Sequence, residues 1–477
     1  MTEQKTTEAD LEKRSAPPLR HRIFQTREIL ALASGFVVAL ILLNFLIRFI
    51  CNNIVPFDCP DWWPVSVFYL RSGLTWKHLS VAVMVLAFFH LSTRCLFKFK
   101  KTTFRLDLTI IIGSILLLST NLIQGWEMAF VHPIAPPASL KDSSIFATPK
   151  RQLYHDATRI TSASDFLADF EQMQSELGIH SRTHPPGAVL FFFVLRKILG
   201  TLWALSMFIG ILSSAISMSS LYGILNSRVG SRIAGFTSLI FILIPSVQIY
   251  YAASLDAIIA SFLLATLFFF LHRNSFLSVM GSLAALFFAS FLTFATLFLP
   301  PVLIGYDLIK RRNVWRSAAI LSVLGIVYII LYLLTGFNYL RSFFIASHLE
   351  NPQGFRFFYE PISYIFTRLE NISEILLFFG PFLSIMMVRG LRLRYRKMPD
   401  LKLLTLLATG MLLLMFATGA FHTGETARAC IFILPYLLFP VALYLEHVKI
   451  SASEQLLILH LVFFQTIVMQ IIGKFWW

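Results

Sequence analysis

Three groups of residues have types and spacings suited to chemistry. Tyr154-His155-Asp156 offers a carboxylate that can take the proton of an attacking hydroxyl as a new bond forms; the plainer reading is a loop aspartate that caps a helix or pairs with Arg159. His180-Ser181-Arg182-Thr183-His184-Pro185-Pro186-Gly187 places three potentially cationic groups within five residues, ahead of a rigid Pro-Pro-Gly turn. Such a group stabilises negative charge on a departing phosphate. His180 and His184 are also four apart, but the two prolines interrupt a helix there and no third ligand is near in sequence, which weakens a zinc reading. The third group is His422-Thr423-Gly424-Glu425-Thr426-Ala427-Arg428, where Arg428 faces a phosphate beside His422 or Glu425, or Glu425 and Arg428 form a local pair on a helical turn. Asp256 stands apart, in Ser254-Leu255-Asp256-Ala257, with a helix-start role as the plain alternative.

The elements that must position these residues are apolar helices. Of 477 residues, 57% are hydrophobic and 14% charged, against about 25% charged in a soluble domain. Mean hydropathy is +0.72. The excess is gathered in blocks long enough to cross about 30 Å of hydrocarbon as helix. Spans are expected near 29–50, 78–97, 108–126, 202–226, 231–249, 252–272, 277–294, 296–309, 316–336, 373–389, 401–418, 429–446 and 454–472. The pair 277–294 and 296–309 reads as a hairpin of half-length helices split by Pro300 and Pro301. The formal net charge of +15 lies in short basic runs between apolar blocks, Arg20 to Arg27, Arg94 to Arg105, Lys310 to Arg316 and Arg389 to Lys397. That is the positive-inside pattern of cytoplasmic loops and argues against nucleic-acid binding.

The N-terminus is then cytoplasmic, with residues 1–27 a polar tail, and the outer segments are 51–77, 127–201, 337–372 and 419–428. All three reactive groups and Asp256 fall on the outer side. Within 127–201, a helix is expected from Ser164, as N-cap, to Leu177, and the apolar stretch Ala188–Leu199 is expected to lie in the interface. Arg341, His348 and Arg356 are weaker headgroup candidates. Cys51 and Cys59 share an outer loop and pair if that compartment is oxidising, whereas Cys95 and Cys430 read as ordinary apolar residues. Asn371-Ile372-Ser373 matches a glycosylation acceptor, and Phe475-Trp476-Trp477 reads as an aromatic anchor.

The order of these motifs resembles the GT-C superfamily of membrane glycosyltransferases, which includes protein O-mannosyltransferases and lipid A aminoarabinose transferases. Asp156 matches the family's first-loop acidic motif, His184-Pro185-Pro186-Gly187 its proline motif before an interfacial helix, and Asp256 its later aspartate. The match covers roughly residues 108–310. This chain departs in having Asp156-Ala157 for the usual Asp-Glu pair, two additional N-terminal spans in 28–107, and Leu292-Thr293-Phe294-Ala295 without the family's lysine. The resemblance implies an all-α polytopic transmembrane helical bundle, here of about 11–13 spans with a large partly helical outer loop, and a C-terminal membrane region over 311–477. It implies an inverting transfer of a monosaccharide from a polyprenyl-phosphate donor to an acceptor hydroxyl on the outer face of the plasma membrane. Asp156 would be the base. Arg428, Arg182, His184 and His180 would hold the donor phosphate, and Tyr154, His155, Asp256, His422 and Glu425 would bind or orient substrate. No cofactor is required, and a divalent metal is admissible. The alternative is a transporter or flippase for a lipid-linked or anionic solute, which would instead keep ionisable residues at mid-membrane.

Overall fold

The computed structural model describes residues 26–53, 69–71, 73–98, 105–136, 152–272, 275–395, 398–421 and 425–475. The chain is an all-α polytopic membrane bundle. Its longer helices are α1 (Thr26–Asn53), α2 (Trp76–Lys98), α3 (Leu106–Asn121), α4 (Leu153–Arg159), α5 (Ala163–Met173), α6 (Gly187–Leu199), α7 (Leu202–Leu243), α8 (Leu255–Leu271) and α9 (Phe276–Leu292). They continue with α10 (Leu299–Tyr306), α11 (Trp315–Thr335), α12 (Tyr339–Glu350), α13 (Pro361–Phe379), α14 (Pro381–Arg392), α15 (Asp400–Ala417), α16 (Leu434–Val448) and α17 (Ala452–Ile472). Among the described residues, eight helices are long and apolar enough to cross a membrane, or nine if the bent pair α13–α14 is one span. The remaining expected spans are shorter pieces, including α8 and α9 of 17 residues each.

Local sequence explains the breaks. α7 kinks at Gly230, whose φ of 78° lies in the region that only glycine enters freely; this separates the two spans expected at 202–226 and 231–249. α9 ends at Thr293, which turns extended and caps a 3-10 stretch, Phe294–Phe298, while Pro300 and Pro301 begin α10. The break therefore falls ahead of the proline pair, where prolines suit a helix start. The span expected at 373–389 is not continuous. It is broken at Gly380, and α13 and α14 meet at 99°. Ser162, not Ser164, caps α5, its hydroxyl accepting from the Asp165 amide, and the helix stops at Met173.

The termini of the bundle close on each other. Tyr69–Leu70 pairs antiparallel with Gly473–Lys474, and Arg71 and Gln124 donate to the Gly473 carbonyl. Phe475 is buried against Tyr250 and Phe378, so this residue packs the core instead of anchoring at the interface; Trp476 and Trp477 lie outside the described residues. Asn371 is fully buried in α13, which excludes it as a glycosylation acceptor. Cys430 is buried and Cys95 exposed, so only the former behaves as an apolar core residue. The Cys51 side chain and Cys59 lie outside the described residues.

Candidate functional site

A cavity of about 720 Å³ opens at the end of the bundle where α6, α8, α9, α12 and α15 meet. That volume is within the range of small-molecule sites, roughly 300–1,000 Å³. Its polar wall carries His180, His184, Asp256, Glu350, Glu425 and Arg428. Its apolar wall carries Phe192, Phe294, Leu297, Phe343, Met411 and Met415.

Arg428 is the centre of the polar wall. The short helix Thr426–Ala429 presents it after the 418–425 connection. Its Nε lies 3.3 Å from Asp256 Oδ2 and its Nη2 2.8 Å from Glu425 Oε2, and its side chain is only 16% exposed. Burial pulls the guanidinium pKa down, but Glu425 and then Asp256 more than compensate, and the net shift is upward. Arg428 is therefore a permanent cation. Asp256 sits in the first turn of α8, where the Ser254 hydroxyl accepts from its amide and lies 3.2 Å from Oδ2. The helix-start role and the cavity-facing role thus hold together. Three residues lining the cavity have positive φ without being glycine, Ala253 at 72°, Phe421 at 58° and Glu425 at 66°. Backbone strain of this kind gathers at functional sites.

His184 follows the one-turn helix Ile179–Arg182. Its Nδ1 lies 2.7 Å from the His180 carbonyl, which can only accept, so Nδ1 carries the proton and Nε2 the lone pair in the neutral ring. Burial lowers its pKa, against the opposing charge of Asp256. The turn into α6 is fixed by Gly187, where a Cβ would lie 2.1 Å from the Phe291 carbonyl oxygen. α6 packs one face against α4, α7 and α9 and leaves Val194, Lys197 and Ile198 exposed on the other.

Asp156 lies beside the cavity, not on its surface. Its carboxylate is 2% exposed; Oδ2 accepts from the Gly178 amide at 2.9 Å and Oδ1 lies 3.8 Å from Arg159. It ties α4 to the segment that bears His180 and His184. From α4 it is Gln152 and Leu153 that line the cavity. Tyr154 packs edge-on against Phe192, and His155 accepts from the Thr158 hydroxyl through its carbonyl. Arg182 acts electrostatically on Glu350, and its carbonyl accepts from Gln174. His422 lies outside the described residues. Arg341 and Arg356 face Glu171 and Glu360.

Sequence reasoning missed Glu350 and Glu374. Glu350 ends α12, and surrounding protein raises its carboxyl pKa although Arg182 opposes this. Glu374 is fully buried in α13 and accepts from Thr426 and Ala427, beside Arg428. An acidic residue inside an apolar helix was the signal that could have found it. Among the described residues, no group of three or more His, Cys, Asp or Glu is placed to hold a metal ion. Asp256 and Glu425 of the polar wall are engaged with Arg428.

Solved structures similar to this chain include ArnT from Cupriavidus metallidurans. Its structure bound to undecaprenyl phosphate aligns with a TM-score of 0.45 and 15% identity, over 73% of this chain and 62% of that one. Its apo structure aligns with a TM-score of 0.44 and 16% identity, over 72% and 61%. This chain thus spans less than two thirds of the length of these structures. No protein-family model and no curated protein matches the sequence.

Proposed function

We propose that this protein is a membrane glycosyltransferase that moves a monosaccharide from a polyprenyl-phosphate donor to an acceptor hydroxyl, with inversion, on the outer face of the plasma membrane. The observation that carries this reading is the two-faced cavity. It sets one guanidinium between carboxylates and an imidazole against a wall of Phe, Leu and Met. A lipid phosphate needs both surfaces, a charged seat for the head and an apolar one for the first carbons of the tail. The order of the His184-Pro185-Pro186-Gly187 and Asp256 motifs supports the same reading.

In this mechanism Arg428 receives the donor phosphate, with His184 and His180 beside it and Arg182 behind the wall. The acceptor oxygen attacks the anomeric carbon as its proton passes to a carboxylate. The bond from that carbon to the phosphate oxygen breaks, and its electron pair leaves with the phosphate. The sequence motif assigns the base to Asp156. The geometry favours Asp256, which already faces the cavity. Phosphate competing for Arg428 would draw the guanidinium from Asp256 and free that carboxylate to take the acceptor's proton. Asp156 then positions the His180–His184 segment. Glu425 holds Arg428.

Purified protein in nanodiscs should consume a labelled polyprenyl-phosphate sugar when supplied with acceptor hydroxyls. Asp256→Asn should lower transfer by roughly 10²- to 10⁴-fold while donor binding persists. Asp156→Asn should keep most activity, because the amide oxygen still accepts from Gly178. Loss of transfer in Asp156→Asn with normal donor binding would return the base to Asp156. Movement of intact donor across vesicles without its consumption would replace the enzyme by a transporter.

A further inference from the structure

We propose that Glu374 is a positioning residue that holds Arg428 against the cavity through the turn before it. The inference rests on the function proposed above. Glu374 is fully buried and does not line the cavity. Its Oε2 lies 3.1 Å from both the Thr426 hydroxyl and the Ala427 amide. The Thr426 hydroxyl is also 2.9 Å from the Asn371 carbonyl. From the opposite side the Ser246 hydroxyl donates to the Ala427 carbonyl. The two residues before Arg428 are thus gripped from two helices.

The same stripe of α13 secures the other end of the connection. Arg368 donates to the carbonyls of Phe416, Ala420 and Phe421 at 3.0, 2.6 and 2.7 Å. The Tyr364 hydroxyl reaches the Phe416 and Ala417 carbonyls at 2.8 and 2.7 Å. Positions 364, 368, 371 and 374 follow helical spacing and share one face. This support matters because Phe421 and Glu425 both hold positive φ, 58° and 66°, a strained state that persists only when neighbours over-determine it. A buried carboxylate is itself costly unless hydrogen-bonded. The Ala427 amide, with the single Thr426 hydroxyl proton shared between Glu374 and the Asn371 carbonyl, meets that need, and in return the carboxylate fixes where the guanidinium stands.

The claim is about hydrogen-bond geometry, so glutamine should substitute and alanine should not. Wild-type protein in nanodiscs is compared with Glu374→Gln, Glu374→Ala, Thr426→Val and Arg428→Ala. Two readouts are taken, the affinity for undecaprenyl phosphate and the rate at which phenylglyoxal modifies Arg428, read by peptide mass spectrometry. Unfolding midpoints identify any variant that does not fold. Glu374→Ala should weaken binding about tenfold and speed Arg428 modification several-fold, whereas Glu374→Gln should stay within about threefold on both. Thr426→Val, which leaves the Ala427 amide bond, should fall between them and decides the matter if Glu374→Ala does not fold. Wild-type behaviour in Glu374→Ala or Thr426→Val overturns the inference, as does a Gln variant as impaired as Ala. If wild type does not bind undecaprenyl phosphate, the proposed function falls, and the modification rates alone judge Glu374.

Discussion

The imidazole of His184 is held neutral by where it sits. Burial lowers its pKa below the ordinary 6.5, and Arg428 adds to that while Asp256 opposes it. Stability follows from the sign of the shift. Between the folded value and 6.5, the unfolded chain binds a proton that the folded chain refuses, so stability falls as pH drops through that window. Glu350 works the other way, since its raised pKa makes the folded chain the better proton binder. The two are separated by His184→Gln, which removes one titration and leaves the other. The unfolding midpoint of wild type should fall more steeply than that of the variant between about pH 7 and pH 5. Parallel slopes would mean that the ring is solvated and titrates normally.

At the scale of elements, the contact between α6 and α9 shows how a short motif sets a long helix. Pro185, Pro186 and Gly187 were legible as a rigid turn ahead of an apolar run; the Phe291 carbonyl against Gly187 was not, because it comes from a residue about a hundred positions away. The same limit explains the other misses. Asp256 and Arg428 stood out by type and loop position, yet their pairing across 172 residues has no spacing signal. Arg368 fell in the outer segment 337–372 and Glu374 in the span expected at 373–389, and the turn they clamp lies some fifty residues on. Gly380-Pro381 carried a local signal for a break inside the apolar block, but not for its 99° angle. What periodicity and composition specify is the helix; which helices meet is decided by packing. Gly187→Ala tests this. Its Cβ would strike backbone, so the expected cost is about 1–3 kcal/mol, read as a lower unfolding midpoint. Gly410→Ala on α15, where nothing lies within 4 Å, should be neutral or gain up to about 1 kcal/mol from helix propensity. Equal effects at both positions would show that α6 is free to move away from α9.

Across the whole molecule, most charged side chains among the described residues gather at two ends of the bundle, with the His90–His460 pair lying between them along α2 and α17. One end is tied by basic side chains. Arg389 meets Glu28 at 2.5 Å, Lys310 and Arg228 meet Asp400 at 3.0 and 3.8 Å, and Arg316 reaches the Phe269 and His272 carbonyls that finish α8. Asp307, fully buried there, accepts from Arg311 and the Ser317 amide. The other end holds the cavity, the Arg71–Gln124–Gly473 closure and the Glu171 contact with the Asn338 amide. Lys and Arg in short loops favour the cytoplasm; under the proposed function the cavity would then face outward, to meet a donor lipid's head. The orientation is tested in intact cells with the four native cysteines replaced by serine. Gln353→Cys, exposed beside the cavity, should react with a membrane-impermeant maleimide added outside. Arg394→Cys, exposed at the basic end, should react only after permeabilisation. The reverse pattern would turn the bundle over and set the cavity in the cytoplasm. Labelling of both from outside would mean that the basic loops do not fix one topology.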